Sequence, residues 1–212
     1  MIRSFVRMAS LLGVWLLLWV VSGPRVAWAV EPPVYRLMAG VPSLQLDQGV
    51  LMLEDTGQRW QRKDVMQQAS WQITPAGQIL WPLIHHAVWQ QVVLRNDSGK
   101  AQTVYLQVEA VGNDQLAMWA QRAGYSWEPL LNVSHARFEW SGRDVRFPTA
   151  TLKLDAGEQV SLLWRAQTDG WLMLPMSVYS EAAFHRFIDR GQIFMGVLTG
   201  TLLVMAWYNL FL

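Results

Sequence analysis

The chain has 212 residues, no cysteine, and 17 basic against 16 acidic side chains, which gives a formal net charge of +1. Nucleic acid partners require clustered Lys and Arg, so this balance argues against them. Without cysteine no disulfide can form, and the fold must depend on a packed core.

The first 29 residues are predicted to be a secretory signal peptide. Arg3 and Arg7 precede an apolar run at 8–21, and the small-x-small triplet 27–29 follows. The apolar run is too short to span a membrane comfortably, whereas this order of segments is typical of a cleaved signal. We expect cleavage after Ala29, with an uncleaved anchor as the alternative. Cleavage removes three arginines and no acid, so the formal net charge changes from +1 to −2.

Residues 30–180 are predicted to form one periplasmic domain of β-strands. Apolar and polar residues alternate at 88–95 and 103–110, and the turn sequence at 96–99 predicts that these two strands are joined by a turn. Many strands with little helix between them predict an antiparallel jelly roll or β-sandwich. Further strands are predicted at 152–154, 160–166 and 172–178, with shorter ones at 50–53, 70–73, 78–83, 115–120 and 136–140.

Helix is predicted at only two places before the C-terminal segment. These are 59–68 and 181–189, and Ser180 is suited to cap the second. We expect residues 181–190 to be a helical connector that continues into the segment that follows, so that the β-domain is coupled to it.

Residues 191–212 contain no charged side chain and are predicted to form a single transmembrane α-helix. As a helix they reach about 33 Å, enough to cross a hydrocarbon core of about 30 Å. Gly196 and Gly200 form a small-residue face that lets another helix approach closely. Asn209 is costly in contact with lipid, so we expect it to meet a neighbouring helix or the membrane interface. A homodimer or another transmembrane helix is the expected partner.

Several of these segments, in this order, resemble one receptor family. The segments are 53–55 (Leu-Glu-Asp), 88–96 (VWQQVVLRN), 160–165 (VSLLWR) and the C-terminal helix with Gly191, Gly196 and the closing sequence YNLFL. They are similar to the amino-terminal part of the bacterial 7TM-DISM receptors. That part comprises a signal peptide, a periplasmic 7TMR-DISMED2 domain and the first of seven transmembrane helices.

The resemblance implies a sensor in the bacterial inner membrane whose periplasmic jelly roll binds a carbohydrate or another small ligand. Full-length members pass the signal to a cytoplasmic histidine kinase, diguanylate cyclase or phosphatase domain. Such an output domain is not part of this sequence, which we expect to be a fragment, a truncated product or a single-span relative.

Tryptophan supplies the sequence's own argument for sugar binding, because indole faces stack on sugar rings. Trp164 alternates in register with Val160 and Leu162 and is therefore expected in the core. Better candidates lie where strand periodicity weakens, since loops on a rigid sheet commonly carry binding groups. The predicted ligand-binding residues are Trp119, Arg122, Tyr125, Trp127, Arg143 and Asp144.

Catalytic motifs are absent from the sequence. It has no Gly-x-Ser-x-Gly elbow, no Walker glycine loop, no His-Glu-x-x-His pair and no cysteine nucleophile. His85 and His86 are adjacent and would point to opposite faces of a strand, so we expect no metal site there. We therefore expect neither an enzyme nor a cofactor. A membrane-anchored protein–protein interaction module without a small ligand is the alternative function.

Overall fold

A computed structural model describes residues 31–68, 70–110, 114–134 and 147–211. The predicted signal peptide, the strand predicted at 136–140, and Arg143 and Asp144 lie outside these residues. They remain predictions from the sequence.

The larger sheet has seven strands, of which six follow the order β4-β3-β6-β11-β8-β9 and are antiparallel to their neighbours. β1 lies parallel to the second half of β6, on the same side as β3, which pairs with the first half. The strands of this sheet are β1 (Val34–Leu37), β3 (Leu51–Asp55), β4 (Gln72–Ile73), β6 (Ala87–Asn96), β8 (Gln115–Arg122), β9 (Glu128–Ser134) and β11 (Gln159–Gln167).

The second sheet has four antiparallel strands in the order β10-β7-β13-β2. They are β2 (Ser43–Gln45), β7 (Gln102–Val108), β10 (Thr149–Leu154) and β13 (Met176–Ser180). A third, two-stranded ladder joins β5 (Leu80–Trp81) to β12 (Leu172–Met173). The prediction of an antiparallel β-sandwich of the jelly-roll class is confirmed.

The main core lies between the two large sheets, because each long strand turns alternate apolar residues inward. On β11 these are Val160, Leu162 and Trp164, all with no exposed surface. Trp164 also donates its indole N–H to the Gln90 side chain at 2.7 Å, so its one polar atom is satisfied inside the core. The prediction that Trp164 is a core residue is confirmed.

The two strands predicted at 88–95 and 103–110 exist as β6 and β7, but they do not pair with each other. β6 belongs to the seven-stranded sheet and β7 to the four-stranded one, so the turn between them carries the chain across the sandwich. Asn96 organises this crossing. Its side-chain amide donates to the carbonyls of Lys100, Leu154 and Asp155 at 2.8, 3.2 and 2.8 Å, and its oxygen accepts from Ser98 and Gln102.

Two local predictions differ from the structure. The helix predicted at 59–68 is only one turn, α1 (Arg62–Val65). No strand was predicted at 121–134, where strand periodicity weakens, but this stretch contains the end of β8 and all of β9. β9 pairs with β8 through a register shift at Met118 and Trp119. Ser180 ends β13 directly before the C-terminal helix, and its hydroxyl donates to the Pro42 carbonyl at 3.2 Å; its role as a helix cap stays a prediction.

The C-terminal helix α2 (Glu181–Phe211) is continuous over 31 residues, as the sequence predicts for a connector that runs into the transmembrane segment. It is long and apolar enough to cross a membrane, with a mean hydropathy of 1.6 over its most apolar window and none of that window buried. This helix supports membrane association of the chain.

The first turns of α2 pack on the outer face of the four-stranded sheet. Phe184 has no exposed surface and stacks on Tyr105 of β7, with ring centroids 4.1 Å apart and an interplanar angle of 5°. Phe187 stacks on Tyr179 of β13 at 5.4 Å and 30°. We call these four residues the aromatic joint. It fixes the start of the helix to two neighbouring strands rather than leaving it attached by one peptide bond.

Candidate ligand groove

The outer face of the seven-stranded sheet carries a second apolar cluster, separate from the main core. A strand face directed away from the core is normally polar, yet Trp89 and Leu163 on this face are buried. Trp89 is 1% exposed. Leu53 and Val65 complete the buried part of the cluster, and the indoles of Trp60, Trp71, Trp119 and Trp127 pack around it.

The segment that follows β3 folds back over this face and covers part of it. Asp55, at the end of β3, is 1% exposed, and its two carboxylate oxygens accept the backbone N–H groups of Arg59 and Trp60 at 3.2 and 3.0 Å. The Asp64 carboxylate accepts the N–H of Gln61 at 2.9 Å and so closes the first turn of α1. These two contacts hold Trp60 and Arg62 over the sheet.

A groove of about 490 Å³ remains open beside the covered part, and we call it the indole groove. Its floor follows from strand register: Trp89, Arg165, Ala117 and Asn132 lie in one row across β6, β11, β8 and β9, and the small Ala117 leaves the space. The groove is lined by Trp60, Gln61, Arg62, Trp89, Gln115, Leu116, Ala117, Trp119, Asn132, Val133, Ser134 and Arg165.

Two indoles and two guanidinium groups dominate the chemistry of the groove. Trp89 and Trp119 stack with centroids 5.7 Å apart and an interplanar angle of 17°. The Arg165 guanidinium lies 5.9 Å from the Trp89 ring centroid, and the Arg62 guanidinium lies 5.9 Å from that of Trp119. Each cation therefore faces an aromatic ring at a distance where the ring quadrupole attracts it.

Arg165 is oriented by the next row of the sheet. It donates to the side-chain oxygens of Gln115 and Gln167 at 2.9 and 2.5 Å. Partial burial lowers the pKa of Arg165, and the Asp55 charge acts in the opposite direction. An arginine stays protonated under such a perturbation. Arg165 is therefore a fixed, partly desolvated positive charge at the edge of the groove.

The Trp89 indole N–H is buried and has no hydrogen-bond partner within residues 31–68, 70–110, 114–134 and 147–211. An unpaired buried donor costs about 1–3 kcal/mol.

The structure brings together two of the six predicted ligand-binding residues. Trp119 and Trp127 pack in the same cluster, and Trp119 lines the groove. Arg122 instead pairs with Glu158 at 2.7 Å and donates to the Lys153 carbonyl at 2.9 Å, so it ties strands together. Tyr125 is largely exposed in the turn between β8 and β9.

Sequence reasoning did not single out Trp60, Arg62, Trp89 or Arg165 as ligand-binding residues. Two of them, Trp89 and Arg165, could have been found from the alternation of the strands. Trp89 and Arg165 belong to the rows of β6 and β11 that point away from the core, where a large indole is out of place unless something covers or binds it.

In α2 the predicted helix-packing residues have open surroundings. A Cβ at Gly196 or Gly200 would meet nothing within 4 Å. The Asn209 side chain donates to the Met205 carbonyl one turn earlier at 2.8 Å, which satisfies part of its hydrogen-bonding capacity within the helix. Close packing of another helix against this face stays a prediction.

Residues 47–180 match the family model described as 7TMR-DISM extracellular 2. No curated protein sequence matches the chain.

Among solved structures, the chain is similar to the Cry4Aa toxin of Bacillus thuringiensis (TM-score 0.27, 11% identity, 45% of this chain and 19% of the toxin chain). It is also similar to the pre-peptidase C-terminal domain of a Bacillus anthracis collagenase (TM-score 0.31, 8% identity, 72% of this chain and 98% of that domain). A third similar structure is Xyl-CBM35 in complex with a glucuronic acid containing disaccharide (TM-score 0.27, 13% identity, 66% of this chain and 92% of that chain). The chain thus spans about a fifth of the toxin and nearly all of the other two, and TM-scores this low carry no argument about function.

Proposed function

Because this chain belongs to the 7TMR-DISM extracellular 2 family, we propose that it is the periplasmic ligand-sensing part of a bacterial signal-transduction receptor and that its ligand is a carbohydrate. The indole groove is the observation that carries the proposal. Its indole faces suit the apolar faces of a sugar ring, and its amide, hydroxyl and guanidinium groups suit sugar hydroxyls.

Binding rather than catalysis is the proposed role of the groove. Asp55 and Asp64, beside the groove, accept backbone N–H groups and hold the covering segment in place. A general acid or base must instead lie within reach of the substrate's proton.

We further propose that α2 anchors the domain in the inner membrane and receives the signal. The aromatic joint supports this route, since Tyr105 and Phe184 connect β7 directly to the first turn of the helix. A ligand shifts a conformational equilibrium only through its different affinity for the two states. We propose that the ligand binds more tightly to a state in which the groove is closed, and that closure displaces the sandwich relative to α2.

The test is a thermal-shift screen of the full chain in detergent against mono- and oligosaccharides. A ligand at 100 times its Kd stabilises the folded state by about 2.7 kcal/mol, which corresponds to a Tm rise of about 5–10 °C for a domain of this size. Trp119→Ala is expected to abolish the shift. Trp171→Ala is the matched control, because Trp171 is 60% exposed and lies outside the groove.

No Tm rise with any sugar, on a chain whose circular dichroism shows a folded sandwich, would contradict the proposal. Equal loss of the shift in both tryptophan variants would contradict the assignment of the site.

The interaction module is the second candidate, favoured by an apolar patch near the two-stranded ladder. Leu80, Leu83, Trp171 and Met173 are each 38% exposed or more. Exposed apolar surface of this kind, when contiguous, is typical of protein contacts. Loss of a cross-linked membrane complex in Trp171→Ala, with no sugar effect in any variant, would favour this function.

A further inference from the structure

We infer that the sugar bound in the indole groove carries a carboxylate, as a hexuronate does; this inference rests on the proposed function of the same groove. The observation that carries it is a pair of positive charges, Arg62 and Arg165, on one surface with stacked indoles. A groove for neutral sugars needs hydrogen-bonding groups and ring faces, but it does not need two guanidinium groups.

Within residues 31–68, 70–110, 114–134 and 147–211, neither arginine forms an ion pair with a carboxylate. The ion pairs found within the described ranges join Arg36 and Arg95 to Asp97, His86 to Glu54, and Arg122 to Glu158. Arg62 makes the ring contact with Trp119, and Arg165 donates to two neutral glutamine side chains.

The acidic side chains around the groove have other tasks. Asp55 and Asp64 accept backbone N–H groups at the start of the covering segment, and Asp114 accepts the N–H of Asp169 at 2.9 Å. Of these, Asp55 is close enough to act on the charge of Arg165. It is fully buried beneath the covering segment, so it does not occupy the open side of the groove.

A guanidinium has five N–H groups, and Arg165 uses one on each terminal nitrogen for Gln115 and Gln167, so three N–H groups remain for a ligand. A guanidinium that lies over a ring still presents its N–H groups in its own plane, and this fork matches a carboxylate better than it matches a hydroxyl. Both arginines are half-buried. The two hydrogen bonds from Arg165 to Gln115 and Gln167 fix its side chain, so little of its freedom is lost on binding. The neighbouring indoles supply the surface for the sugar ring.

A matched pair of ligands tests the inference on the full chain in detergent. Methyl β-D-glucuronide and methyl β-D-glucoside differ only at C6, where one has a carboxylate and the other a hydroxymethyl group. Since charge-assisted hydrogen bonds are about twice as strong as neutral ones, we expect the glucuronide to bind about tenfold tighter by isothermal titration. We also expect this preference to fall as NaCl is raised.

Arg62→Gln and Lys63→Gln form the matched pair of variants. Both remove one positive charge from adjacent positions on α1, but Lys63 is exposed and does not line the groove. Arg62→Gln is expected to remove most of the preference for the glucuronide, Arg62→Lys to keep part of it, and Lys63→Gln to leave it unchanged.

Three outcomes decide between this inference and the function on which it rests. Preference for the glucuronide that is lost only in Arg62→Gln supports the acidic ligand. Equal affinity for the two glycosides, lowered by Trp119→Ala, overturns the acidic ligand and leaves a neutral-sugar site. Absence of binding by either glycoside and by longer neutral and uronic acid oligosaccharides overturns both.

Discussion

Replacing Phe184 with Ala is expected to destabilise the sandwich far more than the same replacement at Phe187, three residues later on the same helix. Phe184 has no exposed surface, and its ring lies parallel to that of Tyr105 at 4.1 Å. Phe187 is 37% exposed and stacks less closely on Tyr179. The comparison isolates burial, since both variants remove the same atoms from the same helix.

The expected loss of stability in each variant follows from the burial of the ring that it removes. Deleting a fully buried Phe costs about 3–5 kcal/mol because both the ring's burial and the packing around it are lost. Deleting the half-exposed ring costs about 1 kcal/mol. With about 2–4 °C per kcal/mol in a domain of this size, Phe184→Ala lowers Tm by about 10 °C and Phe187→Ala by about 3 °C.

The assay is thermal unfolding of the full chain in detergent, followed by tryptophan fluorescence. The indoles of the sandwich report on its folding, whereas the two replaced rings lie outside the groove. Hydrogen exchange at the β7 amides separates local opening of the aromatic joint from global unfolding. Equal Tm values for both variants and the parent chain would refute the reasoning, because the helix would then be attached to the sandwich without stabilising it.

Two further predictions concern the sandwich itself. Asn96→Ala is expected to lower the free energy of unfolding by about 3 kcal/mol, since it leaves carbonyls at the sheet crossing without a donor; a loss under 0.5 kcal/mol in denaturant titration would contradict this. Burial and the Glu109 carboxylate, which accepts the Tyr179 hydroxyl at 2.5 Å, raise the pKa of Tyr179 from 10.0 to about 12. The folded state therefore holds this proton more tightly, and the resulting stabilisation is complete below pH 10 and lost as pH rises towards 12. Tyr179→Phe should remove this contribution to the loss of stability at alkaline pH. Identical profiles of unfolding free energy against pH for the variant and the parent chain would contradict the prediction.

Strand positions were largely predictable, but strand partners were not. Alternation places Val160, Leu162 and Trp164 on one face because side-chain direction is a local property of an extended backbone. It contains no information on which sheet a strand joins, so the alternation did not reveal that β6 and β7 belong to different sheets, with Asn96 at the crossing between them. β9 escaped prediction because its Pro129 and the irregularity opposite it interrupt the alternation.

The groove could be predicted only in part for the same reason. Trp119 and Trp127 were found because they are aromatic residues in a stretch where strand periodicity weakens. Arg62 and Arg165 lie far apart along the chain. They line the same groove only because of the register of β6, β11 and β8 and the fold of the segment after β3. No local sequence pattern predicts that two such distant residues line one groove.

The indole groove and the aromatic joint lie on opposite outer faces of the sandwich, one on each large sheet. Within the part of the chain that the structure describes, no side chain belongs to both surfaces. Substitutions of groove residues therefore leave the side-chain contacts of the aromatic joint in place. On the proposed function, substitutions at Arg62 or Trp119 change the ligand while the attachment to α2 is kept, so ligand specificity can evolve independently of that attachment.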